Sequence, residues 1–258
     1  VLLRRSTPCT ATDAGVVVVR LARQTALLYD DLRDVVGGVV GEVGTRRSTD
    51  LRVAVNADSL ATWFRGVLDE VAVWEGATLR LQVEDQAYSA DLLRRGDVLG
   101  AVTSESAAVQ GCLVERLGIL RYRPAASPAF VGRWRGGRGI DLAQMPVVVF
   151  DSKDSLQHDL LDARGVPAPP VVHRVPTSAD FHEALRRGLG WGMLPLPQLE
   201  PDLRAGRLVT IELPGGSGES VDHAVDVELF WQRWRLDSPA MARLTEAVLR
   251  AARGLVDP

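Results

Sequence analysis

Cysteine is nearly absent from this 258-residue chain, which contains only Cys9 and Cys112. Two thiols cannot build a disulfide framework, and they fit a reducing compartment. Lysine is scarcer still: Lys153 stands alone among the arginines. With the excess of Ala and Val, that skew reads as codon bias of a GC-rich genome. The 30 basic and 33 acidic residues leave a net charge of −3, which gives no general affinity for a polyanion. Also missing is any apolar run near the ~20 residues that a membrane helix needs. The opening Val1-Leu2-Leu3-Arg4-Arg5 is not followed by the apolar stretch of a secretory signal. These absences argue against a disulfide scaffold, a membrane protein and a secreted protein, and for a cytoplasmic one.

The signatures of catalysis are missing too. The sequence has no G-x-S-x-G elbow, Walker loop, H-E-x-x-H or C-x-x-C. His158, His173, His182 and His223 are scattered, without a Cys or carboxylate at metal-ligand spacing. Gly188-Leu189-Gly190-Trp191-Gly192 is not G-x-G-x-x-G, and it precedes a strand instead of opening a helix. The expectation is therefore a non-enzyme with no metal and no cofactor.

What is present is periodicity. Ala14, Val18, Leu21, Thr25, Leu28, Leu32 and Val35 are spaced alternately by 4 and 3, a heptad seam. The spacing predicts a helix over 12–36, capped by Thr12 and stopped by Gly37-Gly38. Such a helix can lie on its own domain, or stand apart and pair with another chain. The polar opposite face and the glycine-containing stretch after it favour pairing, with Val18, Leu21, Leu28 and Leu32 as the dimerisation residues.

From Leu51 onward, strands and helices alternate. Strands are expected at 51–55, 79–83, 98–102, 112–122, 147–150, 171–175, 191–194, 208–213 and 225–231. Helices are expected at 60–71, 90–95, 155–163, 179–187 and 197–205, with a last one capped by Ser238 and running to about Arg253. This order predicts an α/β protein with parallel sheets. Ser89-Ala90-Asp91 and Ser178-Ala179-Asp180 each open a helix that ends in Arg-Arg-Gly, a weak internal echo of two similar subdomains starting near 51 and 146. The Pro- and Gly-rich stretch 124–139 reads as the boundary between them.

Polar residues gather where strands end: Asn56-Ala57-Asp58-Ser59, Glu84-Asp85, Thr103-Ser104, Asp151-Ser152 and Thr177-Ser178. Parallel α/β sheets take ligands beyond the carboxyl ends of their strands. Hydroxyls at Ser59 and Ser178 suit a carboxylate, while Asp58, Asp85 and Asp151 suit a cation. The set fits a zwitterion with a basic side chain. Asp58, Ser59 and Ser178 equally fit plain helix caps.

These same stretches carry a resemblance. LRRSTPCTATDAG (3–15), VAVNADSLATW (53–63), VEDQAYSADLLRRGDVLGAV (83–102), LGILRYRPAASPAF (117–130), FDSKDSLQHDLL (150–161), GLGWGMLP (188–195) and FWQRWRLDSPAM (230–241) resemble LysR-type transcriptional regulators, in particular the arginine/lysine-responsive branch, also described as inhibitors of chromosome replication initiation. The resemblance implies an N-terminal winged helix-turn-helix, a linker helix that dimerises, and an effector domain of two Rossmann-like subdomains of the type 2 periplasmic-binding-protein kind. On this chain it implies a remnant of the wing at 1–11, the linker helix and hinge at 12–50, subdomain I at 51–120 plus 229–258, and subdomain II at 121–228. Nothing matches the helix-turn-helix itself, so the resemblance implies a chain lacking most of that module, with Arg4 and Arg5 left for phosphate contact. It places the effector pocket between the subdomains, lined by Ser59, Thr103, Asp151 and Thr177. The strand-end reading of the residues adds Asp58 and Ser178 beside them, and Asp85 as the candidate for the cationic end. The partners implied are lysine or arginine as effector, double-stranded DNA when the N-terminal domain is present, and a homodimer or homotetramer. The expected role is control of an amino-acid exporter gene. A solute-binding protein for a transporter, or a ligand-binding or interaction module without DNA binding, are the alternatives.

Overall fold

A computed structural model of the chain describes residues 3–4, 10–40, 48–84, 89–136, 139–151, 154–211 and 224–256. Arg5 and Asp85 lie outside the described residues, as does the side chain of Arg4. The chain forms two compact units, Val1–Gly118 with Glu228–Leu255, and Ile119–Val227 with Val256–Pro258.

The first unit begins with a short antiparallel ribbon, β1 (Leu3–Arg4) on β2 (Thr10–Ala11). Helix α1 (Asp13–Val40) follows. Its start is as expected: the Gly15 N–H donates to Thr12 Oγ1 at 3.1 Å. Its end is not, because the helix runs through Gly37-Gly38 to Val40. Glycine inside a helix costs only about 1 kcal/mol relative to alanine and does not by itself stop it.

The rest of this unit is a sheet with helices on it. In chain order come β3 (Thr49–Val55), α2 (Ala57–Ala61), α3 (Arg65–Val71), β4 (Ala77–Val83), α4 (Ser89–Arg95), β5 (Gly100–Thr103) and β6 (Cys112–Ala126). β3 lies between β4 and β5 and is parallel to both. The one helix expected over 60–71 is two. The chain breaks at Thr62, whose φ of −123° and ψ of −108° are not helical. Ala54, Ala90, Leu92, Leu93, Val98, Ala101 and Trp234 form a buried cluster where α4 meets the sheet.

The heptad seam is not the face that α1 lays on this unit. Docking uses the other side. Leu27 is buried, and Arg23 Nη1 donates to Gly96 O at 2.7 Å and to Asp97 Oδ1 at 2.8 Å. The Arg20 guanidinium lies 4.9 Å from the Trp234 ring centroid. The approach is close at Gly96, which has a φ of +67°. A Cβ there would come within 2.8 Å of the Arg20 Cα, so both conformation and space require glycine. The expected picture of a helix standing apart is corrected to this extent: α1 is clasped by its own unit through Arg20, Arg23 and Leu27, leaving the seam outward. Arg23→Ala is expected to loosen the clasp, costing about 1 kcal/mol and speeding amide exchange along α1. Unchanged exchange in α1 would show that the clasp is idle.

The second unit takes the end of β6, followed by α5 (Pro128–Trp134), β7 (Arg135–Gly136), β8 (Gly139–Ile140), β9 (Val147–Val149), α6 (Leu156–Asp162), β10 (Val172–Arg174), α7 (Ser178–Arg186), β11 (Gly192–Pro195), α8 (Leu196–Arg204) and β12 (Val209–Thr210). The 124–139 stretch, expected as a boundary, instead holds the end of β6 and α5. Ser127 caps that helix, its Oγ accepting from the Phe130 N–H. β9 and β10 are parallel, whereas β11 and β12 run antiparallel to β6. Ala125, Val148, Phe181, Leu185, Leu194, Leu199 and Leu208 form the core of this unit.

β13 (Val225–Trp234) returns the chain to the first unit, where it pairs antiparallel with β5. α9 (Pro239–Ala251), capped by Ser238 Oγ on the Met241 N–H, buries Met241, Leu244, Ala247 and Val248 and ends in a 3₁₀ turn, Ala252–Gly254. The sheets are therefore mixed, not parallel throughout. β6 and β13 pass between the units as extended strands, where a helical crossover would have kept the direction. The internal echo has a structural counterpart. α4 and α7 both begin on a buried serine, and Gly96 and Gly188 just beyond them both take a positive φ.

Candidate functional site

In the first unit, β3 and β5 are parallel neighbours, so Asn56-Ala57-Asp58-Ser59 and Thr103 emerge at one edge of the sheet. Asn56 occupies the N-cap of α2 with φ −74° and ψ 155°, yet its side chain makes no capping hydrogen bond. Ser59, weighed above as a cap, lies inside α2 and is fully buried. Ser59 Oγ and Asn56 Oδ1 are both buried without a hydrogen-bond partner among the described residues. Asp58 is half-buried beside them, its backbone carbonyl accepting from Thr62 Oγ1 at 2.6 Å.

Thr103 is employed differently. Its hydroxyl donates to Glu105 O at 3.1 Å and accepts from Gln232 Nε2 at 3.3 Å. Gln232 is itself buried, and its Oε1 accepts from the Val109 N–H at 2.9 Å. The two residues hold the 105–109 loop in shape.

In the second unit, β9 and β10 are parallel neighbours, and Asp151 and Thr177-Ser178 follow their carboxyl ends. Thr177, not Ser178, caps α7: its Oγ1 accepts from the Asp180 N–H at 3.1 Å and donates to Asp180 Oδ2 at 2.6 Å. Ser178 is buried at the first helical position. Asp151 Oδ1 accepts from the Asp154 N–H at 3.1 Å.

Asp154 and Gln157 carry more of this edge than the sequence suggested. Asp154 takes hydrogen bonds from the Phe150 N–H at 2.7 Å and the Leu156 N–H at 3.3 Å. Burial still raises its pKa above the usual carboxylate range, against those hydrogen bonds and with some help from the Asp151 charge. Gln157 donates from Nε2 to Val148 O at 3.1 Å, while its Oε1 is buried without a hydrogen-bond partner among the described residues. Nothing in the sequence singles out Asp154 and Gln157, because nearly every residue from Asp151 to Asp159 is polar.

The structure thus brings Asp58, Ser59 and Thr103 to one edge of the first unit, and Asp151, Thr177 and Ser178 to one edge of the second. Among the described residues, no group of three His, Cys, Asp or Glu is placed to hold a metal ion.

Residues 44–253 match the LysR substrate binding domain. The chain belongs to the LysR family. It is 44% identical to the lysine export transcriptional regulatory protein LysG of Corynebacterium glutamicum, over 98% of this chain and 82% of that protein. It is 37% identical to the transcriptional regulator ArgP of Pseudomonas aeruginosa, over 99% of this chain and 82% of that protein. Full-length LysG of C. glutamicum with bound effector Arg superposes with a TM-score of 0.82 at 42% identity, covering 100% of this chain and 84% of that one. ArgP of Mycobacterium tuberculosis gives 0.84 at 39% identity, over 99% and 83%. This LysR-family chain therefore has the mixed α/β fold of a LysR substrate-binding domain, with a long N-terminal helix ahead of it. Among its described residues, no helix is long and apolar enough to cross a membrane.

Proposed function

We propose that this chain is the sensing and dimerising part of a LysR-type transcriptional regulator whose effector is a basic amino acid, arginine or lysine. It controls promoter binding of the assembled regulator, with an amino-acid exporter gene as the target. The observation that carries the reading is the likeness, over nearly the whole chain, to LysG, a lysine export regulator whose solved structure holds arginine. The buried, unpartnered Ser59 hydroxyl supports it, because a carboxylate would supply the missing partner.

In the first unit, Ser59 donates to the α-carboxylate, Asp58 and Asp85 supply negative charge, and Thr103 shapes the adjoining loop. In the second unit, Asp151 offers a carboxylate, with Thr177 and Ser178 beside it. Arg4 and Arg5 contact DNA phosphates in the assembled regulator, and Val18, Leu21, Leu28 and Leu32 form the dimer seam. The protein works in the cytoplasm and catalyses no reaction. The ligand acts by binding one arrangement of the dimer more tightly than another.

Isothermal titration calorimetry against arginine, lysine and leucine tests this. Saturable binding of at least one basic amino acid, with none of leucine, is the expected result. Failure of both basic amino acids to bind would overturn the reading.

A further inference from the structure

Asn56 is the residue at this edge that no capping role accounts for. An asparagine at an N-cap ordinarily turns its side-chain oxygen onto the N–H two or three residues into the helix. Here the backbone does its part, with Asn56 O accepting from the Leu60 N–H at 3.0 Å, but the side chain caps nothing. The residue is only 4% exposed, so water is no easy substitute. Three positions on, Ser59 is in the same condition, at 0% exposure and with Oγ unpartnered among the described residues. A buried polar atom left without a partner lowers stability, and native folds keep few of them. Two within four residues, beyond the carboxyl end of β3, mark a place where a ligand completes the hydrogen bonding.

The two groups differ in chemistry. A hydroxyl can donate, and so suits a carboxylate. An amide oxygen only accepts, and so requires an N–H donor. An α-amino acid carries both complements on one carbon, a carboxylate and an ammonium. We propose that Asn56 reads the α-ammonium group of the effector through its amide oxygen while Ser59 takes the carboxylate, so that this pair selects α-amino acids over simple carboxylic acids. This rests on the amino-acid reading above and adds to it. Charge serves for the basic side chain, whereas the neutral Asn56 amide recognises the amino-acid core by hydrogen bonding.

The test compares L-arginine with 5-guanidinopentanoic acid, which is arginine without its α-amino group, by calorimetry on the wild-type chain, Asn56→Ala and Asn56→Asp. The wild type is expected to bind arginine about 10–100-fold more tightly than the des-amino compound, the range for a hydrogen bond to a charged group. In Asn56→Ala that ratio should fall to about 3-fold or less, chiefly through weaker arginine binding. Asn56→Asp keeps an acceptor and should retain the preference for arginine.

An Asn56→Ala chain that binds both compounds as the wild type does would overturn the proposal. So would equal weakening of both, which marks a structural residue. Loss of arginine binding in Asn56→Asp, with its melting temperature unchanged, would also overturn it, because the amide would then be donating to the carboxylate. A wild-type chain that binds no arginine or lysine removes the amino-acid reading itself, and this proposal with it.

Discussion

Asp202→Ala is expected to lower the stability of the second unit by about 3 kcal/mol, which for a chain of this size is a melting temperature lower by roughly 6–12 °C. The Asp202 side chain has no exposed surface, yet it carries a charge. Arg186 grips it with two donors, Nε to Oδ2 at 2.6 Å and Nη2 to Oδ1 at 2.8 Å. Arg207 donates from Nε to Oδ1, and His182 Nε2 lies 2.6 Å from Oδ2. His182 and Arg186 stand one turn apart on α7, Asp202 is on α8, and Arg207 follows α8. A single carboxylate therefore fastens two of this unit's helices, α7 and α8, to each other. Its removal leaves three donors around an empty acceptor position and breaks the tie between α7 and α8. The arginines are 33% and 52% exposed and recover part of their hydration, which places the estimate at the low end for a broken buried pair. A change in melting temperature below 2 °C, by circular dichroism at pH 7, would show that the clasp contributes little.

The same cluster sets an acid limit. Burial opposes the charge on Asp202, but the hydrogen bonds from Arg186, Arg207 and His182 outweigh it and hold its pKa down to about 2, from an ordinary 3.8. A carboxyl depressed on folding contributes stability above its unfolded pKa and loses it as pH falls through the folded one. The Asp202 contribution is thus complete above about pH 4 and fades towards pH 2. His182 is pulled below its ordinary 6.5, first by burial, which outweighs the hydrogen bond to Asp202. The folded state then binds its proton less readily than the unfolded state, so its contribution also shrinks as pH falls below 6.5. Both act in one direction, and the Asp202→Ala chain should show the shallower fall in melting temperature between pH 4 and pH 2.

Class and element order were legible in the sequence because they rest on periodicity. The strand at 51–55 and the helix at 90–95 extend by only a residue or two, and Thr12 and Ser238 cap as read. What stayed hidden depends on long-range contacts or on single torsion angles. The break at Thr62 is one residue with non-helical torsions inside an unbroken apolar pattern. The antiparallel pairing of β5 with β13 joins residues far apart in sequence, and a strand pattern does not carry direction. The docking face of α1 was hidden because two arginines, Arg20 and Arg23, do the work that apolar residues were expected to do. At the candidate site, the position after a strand singled out Ser59 and Asp151 as candidates, but spacing cannot show whether a hydroxyl is paired. Thr177 proved to be a cap and Thr103 a loop anchor, while Asn56, Asp154 and Gln157 stood out only once burial and partners were known.

Leu21→Glu with Leu28→Glu is expected to convert the protein to a monomer of about 28 kDa by light scattering, against a multiple of that mass for the wild type. Val18, Leu21, Leu28 and Leu32 are 49%, 61%, 39% and 57% exposed in the single chain. Val17, Tyr29 and Val36 add to the apolar surface on this helix. A helix of 28 residues is roughly 42 Å long, and an apolar strip of that length on an isolated soluble chain is uncommon. The helix cannot turn this strip inward, because Arg23 and Leu27 already fix its opposite side to Gly96, Asp97 and the core of the first unit. The seam's spacing of 3 and 4 is that of one helix packed along another, and we propose that a second copy of α1 supplies the matching surface. Two glutamates in the seam would bury charge against the partner and repel the same residues on it, whereas in the monomer they would face water. The double variant should therefore keep the wild-type circular dichroism while losing mass. Unchanged mass would mean that the seam is covered by something other than its own copy, and the dimer residues would have to be sought elsewhere on the surface.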